Sequence, residues 1–231
     1  MSRTARPAVE VVGVVAALKR HLTPGPVPTE PFRMILWENI GYLVDDPRRR
    51  ELFDGFEAAI GLDPAAIAAA SDNELLPLAK RGGMRPETRV ERWRTIARIV
   101  RTQAAGDLDA ALRALPLAKA RALLKTFPVI ADPGADKILL FAGIAPRPAL
   151  ESNAVRALAR LGFFQEQASY DRSYKAAIAV LVEGGRPDGA WLIEAHQLLR
   201  ELGKTTCKRG EPICAACPVD GLCAHAAVKA L

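Results

Sequence analysis

Apolar residues recur every three or four positions along most of this chain, and stretches that alternate apolar with polar residues are scarce, so the pattern predicts helices rather than a sheet. A first short helix precedes the Pro/Gly-rich connection "LTPGPVPTEP", after which "FRMILWENIGYLV" reads as a buried helix opening after Pro31. Further helices are predicted at about 48–60, 64–70, 73–80, 87–104, 107–113, 117–126, 171–183 and 188–202. Between them, "FPVIADPGADKILLFAG" places a Pro- and Gly-rich turn between two helices, the second beginning near Pro133 or Gly134. In "RPALESNAVRALARLGF", the residues "ESN" supply a polar helix start after a Pro-containing loop. The expected class is all-α, with neither an internal repeat nor a low-complexity tail.

Composition narrows the setting. A chain of 231 residues, half of them hydrophobic, buries one large core or two modest ones. Its longest apolar runs, such as "KILLFAGIA" and "AAIAAA", fall short of the roughly 20 residues that cross a bilayer. No secretory signal is legible in "MSRTARPAVEVVGVVAALKR", so a reducing cytoplasm is the expected compartment. Thirty-two Lys and Arg against 26 Asp and Glu give +6, a mild basic excess that suits a polyanionic partner without demanding one.

The chemistry concentrates near the C-terminus. All four cysteines, Cys207, Cys214, Cys217 and Cys223, fall in "CKRGEPICAACPVDGLC", with gaps of six, two and five residues. A disulfide pair and a zinc site are both readings of such a set. Zinc sites, however, usually join two close Cys-x2-Cys units across a longer loop, whereas iron–sulfur cubanes take four thiolates from compact runs such as this one. The gap pattern resembles the C-terminal [4Fe-4S] loop of the endonuclease III family of DNA glycosylases, and "AHQLLRELGKTTC" resembles the family's helix before the first ligand.

That resemblance extends upstream. The segment "FPVIADPGADKILLFAG" looks like the family's helix-hairpin-helix sequence, with Phe127 and Pro128 in its first two places, Val129 and Ala131 in the places of its two glycines, and Ala135 in its alanine place. The family's hairpin offers backbone N–H groups at a helix N-terminus to a DNA phosphate, which here implicates Val129, Ala131, Gly134 and Ala135. The two β-carbons in place of glycines line a surface where backbone is expected to approach DNA. Pro133 occupies the place of the lysine nucleophile used by family members that also cleave the strand, and proline cannot play that part. Lys137, one helical turn beyond, and Lys125 are the lysines nearest in sequence.

Two carboxylates complete the resemblance. Glu151, in "LESN", stands where the family has a catalytic aspartate, and a carboxylate there stabilises the oxocarbenium-like sugar and orients water. A role in favouring a helix N-terminus is the plainer alternative. Glu38 lies in an otherwise apolar helix, where an unpaired charge is expensive to bury and a raised pKa makes a proton donor. "PFRMILWENIGYLV" resembles the adenine DNA glycosylase helix whose glutamate protonates the leaving purine, although an arginine from the basic stretch 89–101 would also serve as a structural partner.

The resemblance therefore implies a base excision repair glycosylase, monofunctional by the loss of the lysine. It would bind double-stranded DNA containing a damaged or mispaired base and act as a cytoplasmic, nucleoid-associated monomer with a [4Fe-4S] cluster. Leu43 and Met84 are candidates to fill the gap left by a flipped base or to pack in the core, and Lys208, Arg209, Arg85 and Arg89 are candidate phosphate contacts. The expected architecture is two helical lobes, 30–146 with the hairpin and 1–29 plus 147–231 with the cluster loop, and DNA in the cleft between them. A glycosylase with lyase activity through a displaced lysine and a non-catalytic, cluster-bearing DNA-binding protein are the alternatives.

Overall fold

The fold was analysed on a computed structural model, which describes residues 10–186 and 188–229. Among the described residues every regular element is a helix, and no helix is long and apolar enough to cross a membrane. The chain divides into two compact units, one formed by Met1–Pro24 with Pro146–Leu231 and the other by Gly25–Ala145. It starts in the first with α1 (Val11–Lys19), crosses to the second for eight helices, and returns.

The helices of the second unit are α2 (Pro31–Asn39), α3 (Asp46–Ile60), α4 (Pro64–Ala69), α5 (Asp72–Arg81), α6 (Pro86–Gln103), α7 (Leu108–Ala114), α8 (Leu117–Leu124) and α9 (Asp132–Phe141). Local sequence sets most of their starts. Pro31, Pro64 and Pro86 open α2, α4 and α6 with φ already suited to a helix and no N–H to leave unpaired, while Pro47 and Pro133 do the same one residue further in. The carboxylates of Glu30, Asp45, Asp63 and Asp107 accept first-turn amides, and Ser71 with Glu74 forms a reciprocal capping box. The segment before α2 is tied to this unit by Arg50, whose Nη2 donates to Pro26 O at 2.6 Å.

The core of this unit is built on α6. Val90, Trp93, Ile96, Ala97 and Val100 are buried at helical spacing, and the helix packs against α2, α4 and α5. Trp93 is fully buried, meets Phe56 edge to face at 4.7 Å, and donates its indole N–H to Asn39 O at 3.2 Å.

In the first unit α1 is followed by α10 (Ser152–Leu161), α11 (Tyr170–Gly184), α12 (Gly189–Thr205) and α13 (Ala224–Lys229). The apolar stripe of α12, including Trp191, Leu192, Ala195, Leu198, Leu199 and Leu202, supplies the core against which α1 and α10 pack. At Gly203 the approach is so close that a β-carbon would lie 2.2 Å from Asn153 O, so this position admits only glycine. Sequence periodicity anticipated these helices within a few residues but not α13, nor the single 3-10 turns Cys214–Ala216 and Asp220–Leu222 within the cysteine loop. Segments that short carry no readable period.

Candidate active site and nucleic-acid interface

In the second unit Glu38 sits near the end of α2 and is not the unpaired buried acid that the apolar sequence around it suggested. Its carboxylate is one third exposed, and Lys137 Nζ lies 2.7 Å from Oε1. Arg49 on α3 stands 4.0 Å from Oε2. A lysine of α9 and an arginine of α3 therefore accompany this acid. Sequence reasoning named Lys137 only as a displaced nucleophile, because nothing in a one-dimensional pattern shows that residues 99 positions apart share an ion pair. Its ammonium is 18% exposed and also lies 5.9 Å from the centre of the Phe141 ring. Lys125, the other lysine considered, pairs with Asp132 at 3.0 Å.

Three loops of this unit are stitched together beside Glu38. Asn39, the next residue, is 4% exposed and donates its side-chain amide to Ile35 O and to Pro128 O of the hairpin. Tyr42 N donates to Gly82 O at 2.9 Å, joining the loop after α2 to the loop before α6. Arg89 is buried there. It gives its guanidinium to the carbonyls of Ala79, Gly83 and Met84, so it fixes a loop and is not a phosphate contact. Burial and the neighbouring Arg92 push its pKa down from the ordinary guanidinium value.

These loops present what the rest of the unit hides. Leu43 is 83% exposed and Met84 66%, so neither belongs to the core. Tyr42 and Val129 are exposed as well. Leu43, Arg85 and Val129 each adopt a left-handed backbone, with φ of 53°, 57° and 59°. For L-residues this conformation costs roughly 1–2 kcal/mol each, and a β-branched valine there is an outlier. Val129 thus keeps the backbone shape that a glycine would adopt without strain, and adds a side chain at the tip of the hairpin.

The hairpin leads into α9, whose N-cap, Ala131, provides no side-chain cap. Pro133 at the second helical position has no N–H, and the acid Asp132 in this first turn is neutralised by Arg121 and Lys125. Ala131 is exposed and Gly134 partly so. Ala135, expected at the interface, is fully buried with its N–H bonded to Ala131 O, and it anchors the helix.

In the first unit Glu151 caps α10. Its Oε1 accepts the Ala154 N–H at 2.9 Å and its Oε2 the Asn153 side-chain amide at 2.7 Å. The hydrogen bonds continue inward. Arg156, 7% exposed, donates to Asn153 Oδ1 at 2.8 Å, Gly203 O at 2.6 Å and Cys207 O at 3.1 Å. Burial lowers its pKa, opposed by the charges of Cys207 and Glu151. A continuous chain of contacts thus runs from the Glu151 carboxylate to the backbone of the first cysteine. Tyr170, at the start of α11, also senses this carboxylate: burial first, and then the charge of Glu151, push its phenol pKa up. Asn153, Arg156 and Tyr170 were not singled out from sequence, where an Asn, an Arg and a Tyr on helices carry no distinguishing spacing.

One turn after Arg156, Arg160 holds the loop that follows Cys207. Its guanidinium donates to Lys208 O at 2.6 Å and Arg209 O at 3.2 Å and approaches Cys207 Sγ at 3.6 Å, while its own carbonyl accepts from Cys223 Sγ at 3.3 Å. Lys208 and Arg209 are left exposed on a backbone fixed from behind. All four cysteines line one cavity, with Arg160, Thr206, Pro212, Ile213, Asp220 and His225. No disulfide joins any two of them. Among the described residues no three His, Cys, Asp or Glu side chains converge as a site for a metal ion. Burial raises the Cys217 pKa, in part offset by a hydrogen bond from the backbone at Val219.

No protein-family model and no curated protein matches this chain. Solved structures do. A trapped endonuclease III–DNA covalent intermediate aligns with a TM-score of 0.73 at 17% identity over 96% of this chain and 100% of that chain. A non-covalent endonuclease III–DNA complex aligns with a TM-score of 0.74 at 17% identity over 95% and 96%. A thermostable thymine-DNA glycosylase aligns with a TM-score of 0.74 at 15% identity over 94% and 95%. The chain has the endonuclease III-like fold.

Proposed function

We propose that this protein is a DNA N-glycosylase that hydrolyses the bond between a damaged or mispaired base and its sugar and leaves the strand intact. The observation that carries the reading is the Glu151 carboxylate, fixed by an amide and a side chain at the start of the helix that follows the hairpin helix. Solved structures with this fold include endonuclease III bound to DNA and a thymine-DNA glycosylase.

In the reaction the C1′–N bond breaks and its electron pair leaves with the base. Positive charge develops on the sugar, where the Glu151 carboxylate stabilises it. A water adds at C1′ and gives its proton to the same carboxylate or to solvent. Glu38 relays the proton for the leaving base: across the 2.7 Å contact the Lys137 ammonium gives a proton to the Glu38 carboxylate, the acid so formed gives it to the base, and the lysine takes one back from water. For the lyase alternative, the Lys137 nitrogen is already engaged by Glu38 at 2.7 Å and would have to leave it to attack a sugar. Pro133 leaves that step without its usual residue.

Cys207, Cys214, Cys217 and Cys223 would hold a [4Fe-4S] cluster. The four cysteines come from one compact run and line one cavity, the all-thiolate donor set that an iron–sulfur cubane takes. Such a cluster supplies a rigid tether rather than electrons, because hydrolysis of a glycosidic bond transfers none. It would stiffen the loop on which Lys208 and Arg209 meet phosphate, with Arg160 fixing the same backbone from the protein side.

A panel of lesion-containing duplexes tests the reading. Free base should be released with the strand intact until heat or alkali is applied, and borohydride should trap no protein–DNA adduct. Spontaneous scission with an adduct lost on replacing Lys137 or Lys125 would establish the lyase. Tight duplex binding with no base released from any lesion would leave a cluster-bearing DNA-binding protein.

A further inference from the structure

We infer that the outer face of α6 is a second phosphate-binding surface, on which Arg98, Arg101 and Thr95 hold a stretch of DNA backbone separate from the duplex seated at the lesion. The inference rests on the glycosylase reading and adds a second nucleic-acid contact to it.

The surface follows from the same helical period that builds the core. Burying Val90, Trp93, Ile96, Ala97 and Val100 turns one side of α6 inward. Arg94, Arg98 and Arg101 therefore stand together on the side that faces water. With Thr95, Thr102 and Ala68 of α4 they line a surface concavity of about 500 Å³, and no carboxylate is among its lining residues.

Two of these arginines are left uncompensated. Elsewhere in the unit Arg33, Arg48, Arg81, Arg113 and Arg121 each pair with a carboxylate within 3.2 Å. Arg94 is neutralised in the same way by Asp72 at 2.7 Å, and it also donates to Ala70 O at 3.1 Å. Arg98 and Arg101 are exposed, and among the described residues neither guanidinium meets a carboxylate or a hydrogen-bond acceptor. Thr102 gives its hydroxyl to Arg98 O at 2.9 Å, whereas the Thr95 hydroxyl has no partner among the described residues.

Two unpaired guanidiniums and a hydroxyl on a packed helix suit phosphate oxygens. Each guanidinium offers a planar fork of N–H donors, and the helix has already fixed the backbone that carries it. A polymer of phosphates adds the release of condensed counterions, which an isolated anion does not supply. Position along α6 sets this surface apart from the loop before the helix. At a rise of about 1.5 Å per residue, Arg94 to Arg101 lie about 14–24 Å along the axis from Arg85. With one phosphate per about 3.4 Å of a strand, a phosphate held here is roughly four or more removed from one held at Arg85.

Sedimentation of the full chain with short duplexes in excess, at about 50 mM salt where phosphate contacts are strong, tests this. A lesion duplex and an undamaged duplex carrying different dyes should travel with one protein chain. Arg98→Gln combined with Arg101→Gln should weaken binding of the undamaged duplex at least about tenfold and lower its salt slope by about two. Base release from the lesion duplex alone should stay within about twofold of the wild type, because neither residue reaches the reacting atoms. Arg98→Lys combined with Arg101→Lys keeps the charge and should retain most of the second binding, and melting curves verify that both variants are folded. One duplex per chain at saturation would overturn the inference, as would a second duplex that the glutamine variant still holds. A poly-glutamate peptide that binds more tightly than a DNA strand of equal charge, and is lost with the glutamine variant, would give the surface to an acidic protein segment instead. Base release with a single duplex bound removes only this inference, and no release from any lesion removes the glycosylase reading.

Discussion

The two candidate catalytic carboxylates are held in opposite ways. Glu38 lies at the end of a helix and is fixed by charge, with an ammonium at 2.7 Å and a guanidinium at 4.0 Å. Glu151 precedes a helix and is fixed by neutral dipoles, a backbone amide and a carboxamide, themselves backed by a buried arginine. A carboxylate beside a mobile proton is suited to proton transfer. One held by hydrogen-bond donors is fixed in place, as stabilising a sugar cation requires. In the proposed reaction, two chemically identical groups are given different work by their neighbours.

Removing the acids probes this contrast most strongly. Glu38→Gln abolishes proton donation while keeping shape, and base release under single-turnover conditions should fall by about 10² to 10⁴ with duplex affinity nearly unchanged. A loss in affinity as large as the loss in rate would make Glu38 a structural residue. Glu151→Gln keeps a cap for α10 but removes the negative charge, so the same assay should show a fall of roughly 10² or more. Activity within a factor of a few of the wild type would reduce Glu151 to a helix cap.

Weaker changes refine the comparison. Arg156→Met leaves the carbonyls of Gly203 and Cys207 without their donor, and stability should drop by about 2–4 kcal/mol in denaturant unfolding. The variant should also retain less of the absorbance near ~400 nm expected of thiolate–iron charge transfer, since the backbone of the first cysteine loses its anchor. An unchanged unfolding midpoint would show that this chain of hydrogen bonds does not support the cysteine loop. Lys137→Met should lower the rate of base release about tenfold, and Lys137→Arg, whose guanidinium keeps the charge but gives up no proton, should not restore it. A stimulation by Lys137→Met would show that the ammonium holds Glu38 in an unproductive ionised form.

Much of this was legible without coordinates. The 3.6-residue period located twelve of the helices, because each packs one stripe on a core and that demand is written locally. Prolines at the first helical positions and acids just before them marked the starts within a residue or two, since both act on the first turn alone. The cysteine spacing was legible as a short pattern of residue types, whereas the hairpin and Glu151 were singled out through the resemblance to endonuclease III sequences. The environment of Glu38 was misjudged, because an acid among apolar neighbours in sequence is not an acid among apolar neighbours in space.

What the sequence by itself determined is the helical class and the approximate helix boundaries, which depend on residues within a turn or two of one another. Tertiary structure alone decided that Lys137 meets Glu38 across 99 positions, that Arg156 reaches Cys207 across 51, and that the loops carrying Leu43, Met84 and Val129 are joined with their apolar tips exposed. An ion pair, a buried guanidinium and a shared rim are set by which surfaces the packed helices bring together, and no local period encodes that choice.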